Sequence, residues 1–277
     1  MIALIVNADD LGLSAERDRG IFAAFGRGIV TSATLIANGP SFAGAVEQAH
    51  SDGLPVGIHL NLSDGLPLTG PIGGLTGPCG RFPGKQLMRQ ALLHGDCDLP
   101  AIRRELQAQI DKVVATGLEP THIDGHQHCH IYSRLIALVI DLARANGITA
   151  LRSSRPADPA EVEISEELRE DLRLFRRLGS SAHGVFRAAG LRTPDGLWGL
   201  PLLHTLDTAR LSSLLTRLDQ GFWELMTHPG HPTPSGRPFE GEQRQVELEA
   251  LTSREVRQVV EARGIRLCSY RELPCAC

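Results

Sequence analysis

The sequence predicts an α/β protein folded as a distorted, TIM-like (β/α) barrel of about seven parallel strands. Three observations lead there. Short apolar, β-branched runs alternate with helical patterns, the signature of a parallel sheet built by right-handed crossovers. The runs are apolar nearly throughout, as strands covered on both faces must be. Finally, polar residues able to do chemistry follow directly on the strand cores, as they do at the C-terminal mouth of a barrel. No linker, internal repeat or low-complexity tract divides the 277 residues, so 1–277 reads as a single domain.

Taken in order, ALIVNAD (3–9) is a buried strand bounded by Gly12. Ser14 can cap the helix that follows, with Arg17, Ile21 and Phe25 at helical spacing. IVTSATLIAN (29–38) is a second strand, SFAGAVEQAH a short helix, and PVGIHLNL (55–62) a third strand. Residues 63–84 are dense in Gly and Pro and too long for a simple connection, which marks them as functional or disordered. An amphipathic helix spans 100–117 and ends at Gly117. THIDGHQ (121–127) is the fourth strand, 133–147 a helix closed by Gly147, and ITALRSS (148–154) the fifth strand. Residues 157–191 read as a surface helix with an irregular lead-in. Strands at 221–230 and 264–269 enclose one long helix in 241–264.

Composition narrows the function. Charged residues make up 22% and the formal net charge is −4, so nothing recommends nucleic acid or anionic lipid as a partner. The N-terminus reaches Asp9-Asp10 without a basic region or a signal-length apolar stretch, and no run approaches a membrane span, so the chain reads as cytoplasmic. The six cysteines lack paired C-x-x-C spacing, which argues for reduced thiols over a structural zinc site, and the Cys275-Ala-Cys277 tail reads as incidental.

The chemistry-bearing residues sit after strands. Asp9 and Asp10 follow the first; as a lone pair they would cap the next helix, but two carboxylates after a buried strand need a partner or a cation. His59 lies in the third strand with Asn61 after it, and a lone histidine there is more often a hydrogen-bonded core residue than a ligand. Residues 122–130 place His122, Asp124, His126, His128 and His130 at every second position, all on one face if the strand ran extended. One ion cannot use them all, since His122 and His130 would then lie roughly 26 Å apart. His126, directly after Asp124-Gly125 where the strand ends, is the candidate ligand; His128 either supports it from behind or faces substrate, and His122 and His130 serve packing or solvent. Arg152 could meet a surface acid or hold a buried carboxylate ionised, and His228 could be only a turn residue before Pro229. A carboxylate and two imidazoles from separate strands suit a divalent metal with open positions for water and substrate.

NADDLGLS, GIHLNL (57–62), THIDGHQHCH (121–130), LRSSRP (151–156) and MTHPG (226–230), in this order, resemble the YdjC-like (ChbG-type) carbohydrate deacetylases, from residue 3 to about 270. The resemblance implies metal-dependent hydrolysis of the N-acetyl group of an amino sugar or glycoconjugate, chitooligosaccharide-like or N-acetylglucosaminyl-lipid-like, with release of acetate. It implies one divalent ion, magnesium or zinc before manganese, cobalt or nickel, held by Asp10, His59 and His126. Asp9 would then be the base, His228 the protonated acid and Arg152 the residue beside the base, with His128 and Asn61 toward substrate and a homodimer as the assembly seen in relatives. Competing readings are a metal-dependent isomerase or aldolase on the same scaffold and a non-catalytic metal- or sugar-binding module.

Overall fold

The computed structural model describes residues 1–95, 97–158, 164–233 and 240–274. The Cys275-Ala-Cys277 tail, read above as incidental, and residues 159–163 of the lead-in lie outside these residues. The elements are β1 (Ile2–Leu11), α1 (Ala15–Arg27), β2 (Ser32–Leu35), α2 (Phe42–Asp52), β3 (Val56–Leu60), α3 (Lys85–His94), α4 (Leu99–Val114), β4 (Ile123–Gly125), α5 (Ser133–Ala145), α6 (Glu166–Ala188), β5 (Gly196–Trp198), α7 (Thr208–Thr216), β6 (Gly221–Thr227), α8 (Gln243–Thr252), α9 (Arg254–Ala262) and β7 (Ile265–Leu267).

All strand pairings are parallel, in the order β4-β3-β2-β1-β6-β5. β1 is the central stave and is buried from Ala3 to Leu11, as a strand covered on both faces must be. One of its edges is taken by β6 along residues 2–8; the other is shared between β7 at residues 2–4 and β2 at residues 7–11. The fifth strand expected at 148–154 is not a continuous strand. Instead, single bridges join Leu151 to Ile123 and Pro156 to Leu197, so this segment links β4 to β5 and carries the curled sheet around as a distorted barrel. Its backbone hydrogen bonds are made at both edges, by Arg152 N–H to the Ile123 carbonyl at 3.0 Å and by Ala157 N–H to the Leu197 carbonyl at 2.8 Å.

Local signals placed most helices. The Ser14, Asp98 and Ser165 side chains accept the N–H groups of Arg17, Ala101 and Leu168 at the starts of α1, α4 and α6. The single helix expected over 241–264 is two, because Ser253 closes α8 with extended backbone (ψ 137°) and its hydroxyl then caps α9. The short α3 and β5 were not anticipated. The Gly/Pro-rich segment 63–84 is an ordered series of turns. Buried Glu105 on α4 holds it, accepting the N–H groups of Leu68 (3.0 Å) and Thr69 (2.8 Å) and the Thr69 hydroxyl (2.8 Å). No helix among the described residues is long and apolar enough to cross a membrane.

Candidate metal and catalytic site

The strand ends converge as the sequence predicts, but by local distortions the sequence did not show. The register between β1 and β2 passes from Ala8↔Ala33 to Leu11↔Leu35, leaving one extra residue on β1. Asp10 sits at this bulge with φ +71°, a left-handed conformation rare outside glycine. Adjacent strand residues normally face opposite sides; here the twist turns both Asp9 and Asp10 into one cleft.

The histidine stretch departs further from expectation. β4 stops at Gly125, and residues 126–131 wind into tight turns with Gln127 (φ +54°) and His128 (φ +55°) left-handed. The five alternating side chains therefore do not share a face. His126 reaches the cleft centre, and His128 lines its wall with Nδ1 2.8 Å from the Ser154 hydroxyl. His130 turns inward with Nε2 3.2 Å from the Arg152 carbonyl. His122 lies flat against Tyr270, ring centroids 3.5 Å apart. Gly125 is required by contact, since a Cβ there would stand 2.8 Å from the Cys129 sulfur. The Cys129 thiol, buried, donates to the Leu60 carbonyl at 3.2 Å and takes no part in the site.

Asp10, His59 and His126 meet. Asp10 Oδ1 lies 2.8 Å from His126 Nδ1 and 3.5 Å from His59 Nε2, and makes no well-aligned hydrogen bond of its own. Its second oxygen pairs with Arg17. His59 Nδ1 is 2.6 Å from Asp124 Oδ1, which fixes the ring with Nε2 toward the cleft. Asp9, His59 and Asp124 also lie close enough to hold an ion together. Their oxygens are committed elsewhere: both of Asp9 to Arg152 at 2.6 Å, and those of Asp124 to His59 and to Arg152 at 2.8 Å. Asp10, His59 and His126 are therefore the group open to a cation.

Electrostatics fit a cation there. Burial alone would lower the His59 pKa, yet the carboxylates of Asp124, Asp10 and Asp9 outweigh it and raise it to about 10. The cluster demands positive charge and takes it from a proton if nothing else supplies it. Two imidazoles and a carboxylate facing a solvent-open cleft make a donor set that suits a divalent ion.

Arg152 is fully buried and joins three carboxylates. Besides Asp9 and Asp124 it reaches Glu224 Oε1 from Nε (2.9 Å) and Nη2 (2.8 Å), while the Tyr270 hydroxyl donates to Glu224 Oε2 at 2.5 Å. Burial would raise the Asp9 pKa, but the Arg152 guanidinium holds it well below the ordinary carboxylate range, so Asp9 is ionised. His228 lines the same cleft. Its backbone is clamped by α8: Glu247 Oε1 accepts its N–H at 2.7 Å and Arg244 donates to its carbonyl at 2.9 Å. Burial first and Arg244 second lower its pKa to about 3, so the expected protonated imidazolium is neutral in the resting protein.

Asn61 is not brought into the cleft. Its amide oxygen accepts the N–H groups of Ser63 and Asp64, and its NH2 donates to Asn38 Oδ1 and the Asp64 carbonyl, which uses the whole group to shape the turn that presents Asp64. Three contributors had no role in the sequence reading: Asp124, Glu224 and Arg17. Asp124 had a visible signal, a carboxylate beside the ligand histidine; Glu224, inside an apolar strand, had only its misfit there.

Fold and site together define a curled parallel α/β barrel carrying a carboxylate–histidine centre at its strand ends. A YdjC-like protein family profile matches residues 3–262, and the chain belongs to that family. A human protein named carbohydrate deacetylase is 36% identical over 98% of this chain and 90% of its own length. A chitooligosaccharide deacetylase of Enterobacter sp. (strain 638) is 33% identical over 98% of each. A crystal structure from Enterococcus faecalis, described as a candidate cellobiose-phosphate cleavage protein, superposes with a TM-score of 0.73 over 97% of each chain at 28% identity.

Proposed function

We propose that this protein is a divalent-metal-dependent deacetylase that hydrolyses the N-acetyl group of an amino sugar or short amino-sugar oligosaccharide. The observation carrying the proposal is the Asp10–His59–His126 group beside an ionised Asp9 whose two oxygens both accept from Arg152. The relatives' names support carbohydrate deacetylation over an isomerase or aldolase, and a non-catalytic binding module would leave Asp9 without a role.

Asp10, His59 and His126 would hold the ion. The ion would polarise the amide carbonyl and acidify water, which lets a carboxylate of low pKa serve as base. Asp9 accepts the proton as the water oxygen bonds to the acetyl carbon. Arg152 keeps Asp9 ionised and fixed, and its own place is held from behind by Glu224. Neutral His228, in the wall of the same cleft, would take up a proton released in the attack and pass it to the sugar nitrogen. The C–N bond then breaks to give acetate and the free amine. Asp124 holds the His59 ring so that Nε2, not Nδ1, faces the cleft.

A panel of N-acetylated sugars, tested with protein reloaded separately with each divalent ion, should release acetate and free amine in equal amounts. Asp9→Asn should lower turnover by about 10²–10⁴-fold while direct titration still shows the ion bound. Near-normal turnover in that variant would remove Asp9 from the mechanism, and no acetate from any sugar with any ion would sink the proposal.

A further inference from the structure

The buried stripe of α1 opens with a charge. Arg17, Ile21 and Phe25 recur at helical spacing, so Arg17 stands where the pattern calls for an apolar side chain, and it is buried. It lines the catalytic cleft, and its guanidinium pairs through Nη1 with Asp10 Oδ2. Stability is a poor account of such a pair, because taking both charges out of water offsets their attraction and apolar side chains often serve as well.

The pair divides the two oxygens of a single ligand. Asp10 Oδ1 faces His126 Nδ1 at 2.8 Å and His59 Nε2 at 3.5 Å, while Oδ2 is turned to Arg17. The arginine is held along its length. The Ser14 hydroxyl accepts its backbone N–H at 3.3 Å. The loop after β6 lies on its stem, so close that a Cβ on Gly230 would stand 3.4 Å from Arg17 Cα and 3.5 Å from its Cγ. The His231 N–H donates to the Glu16 carbonyl at 3.1 Å, which ties that loop to the same turn of α1.

An unrestrained carboxylate can chelate an ion through both oxygens. That mode suits ions that prefer oxygen, such as calcium and manganese, whereas zinc is served by imidazoles and one carboxylate oxygen. We propose that Arg17 is a positioning residue that limits Asp10 to one oxygen and so tilts the Asp10–His59–His126 group toward zinc over manganese. The proposal rests on reading that group as an ion site, and goes beyond it by naming the residue that selects the ion.

The test titrates chelator-treated protein with Zn²⁺ and with Mn²⁺ by calorimetry, Asp10→Asn marking the heat that arises at other sites. Arg17→Met keeps the stem under Gly230 and removes the guanidinium. It should lower the ratio of the Mn²⁺ Kd to the Zn²⁺ Kd by about tenfold or more, the size usual for a residue behind a ligand. Arg17→Leu should move the ratio the same way. Arg17→Lys, which keeps a charge able to pair with Oδ2, should hold it within about threefold of the parent. A ratio within about twofold of the parent in both uncharged variants overturns the proposal. A parallel loss of both ions is such a result, and would leave Arg17 a structural role alone. An equal shift in Arg17→Lys and Arg17→Met overturns it too, since the charge would then be irrelevant. Parent protein that binds neither ion at Asp10 would mean that the reading of the ion site has itself failed, and this proposal with it.

Discussion

Replacing Asp124 by asparagine separates ligand from ligand support. Asp124 touches no open part of the cleft, yet its Oδ1 is 2.6 Å from His59 Nδ1 and its Oδ2 2.8 Å from Arg152. Both contacts are fully buried, so the hydrogen bond to His59 is charge-assisted and the ion pair with Arg152 meets little competing water. A hydrogen bond to a charged group contributes about 1.5–3 kcal/mol. The asparagine keeps the shape but loses the charge, and its amide can present NH2 to His59, favouring the tautomer that protonates Nε2. That places a proton where the ion should bind. Loss of about 1.4–2.8 kcal/mol corresponds to 10–100-fold weaker ion affinity, the range usual for such supporting carboxylates. Arg152 keeps Asp9 and Glu224, so the fold should survive. Titration of chelator-treated protein with Zn²⁺ or Mn²⁺ by calorimetry reads the affinity directly, and circular dichroism checks the fold. An affinity within twofold of the parent, in folded protein, would refute the claim that Asp124 sets the His59 ring.

Three other outcomes are expected. Gly57→Ala would place a Cβ 2.3 Å from His122 Cε1, beneath a ring already stacked on Tyr270, and should cost about 1–3 kcal/mol of stability, read as a lower urea midpoint. Burial lowers the His122 pKa from its usual 6.5 to about 3. The unfolded chain therefore takes up a proton that the native protein refuses, and this histidine's contribution is complete above pH 6.5 and lost as pH falls toward 3. His122→Asn should flatten the pH dependence of stability by about 1.4 kcal/mol per unit below pH 6, measured by urea unfolding at several pH values; an unaltered slope would contradict the buried neutral ring. Gly20→Ala would drive a Cβ to 2.4 Å from the Gly230 Cα, displacing the loop that carries His228 from between α1 and α8, and should lower kcat at least tenfold with ion affinity retained.

The sequence by itself determined the parallel α/β architecture, because burial on both faces enforces near-continuous apolar strands and capped amphipathic helices, and these are local patterns. It also determined which residues could meet, since Asp9, Asp10, His59, His126, Arg152 and His228 all follow strand cores and strand ends share a mouth. Only the tertiary structure decided how they meet. The β1 bulge that turns Asp10 beside Asp9, the left-handed pair Gln127–His128 that breaks the alternation, and the barrel segment at 150–156 are stabilised by contacts far away in the chain, so no local pattern announces them. Asn61 shows the same limit in reverse: the residue type suits a substrate contact, but Asn38, Ser63 and Asp64 take every hydrogen bond it can make. The partners that tune the chemistry, Asp124 and Glu224 around Arg152, are set by pairing across strands, because a buried charge takes its meaning from whichever opposite charge the fold brings within reach.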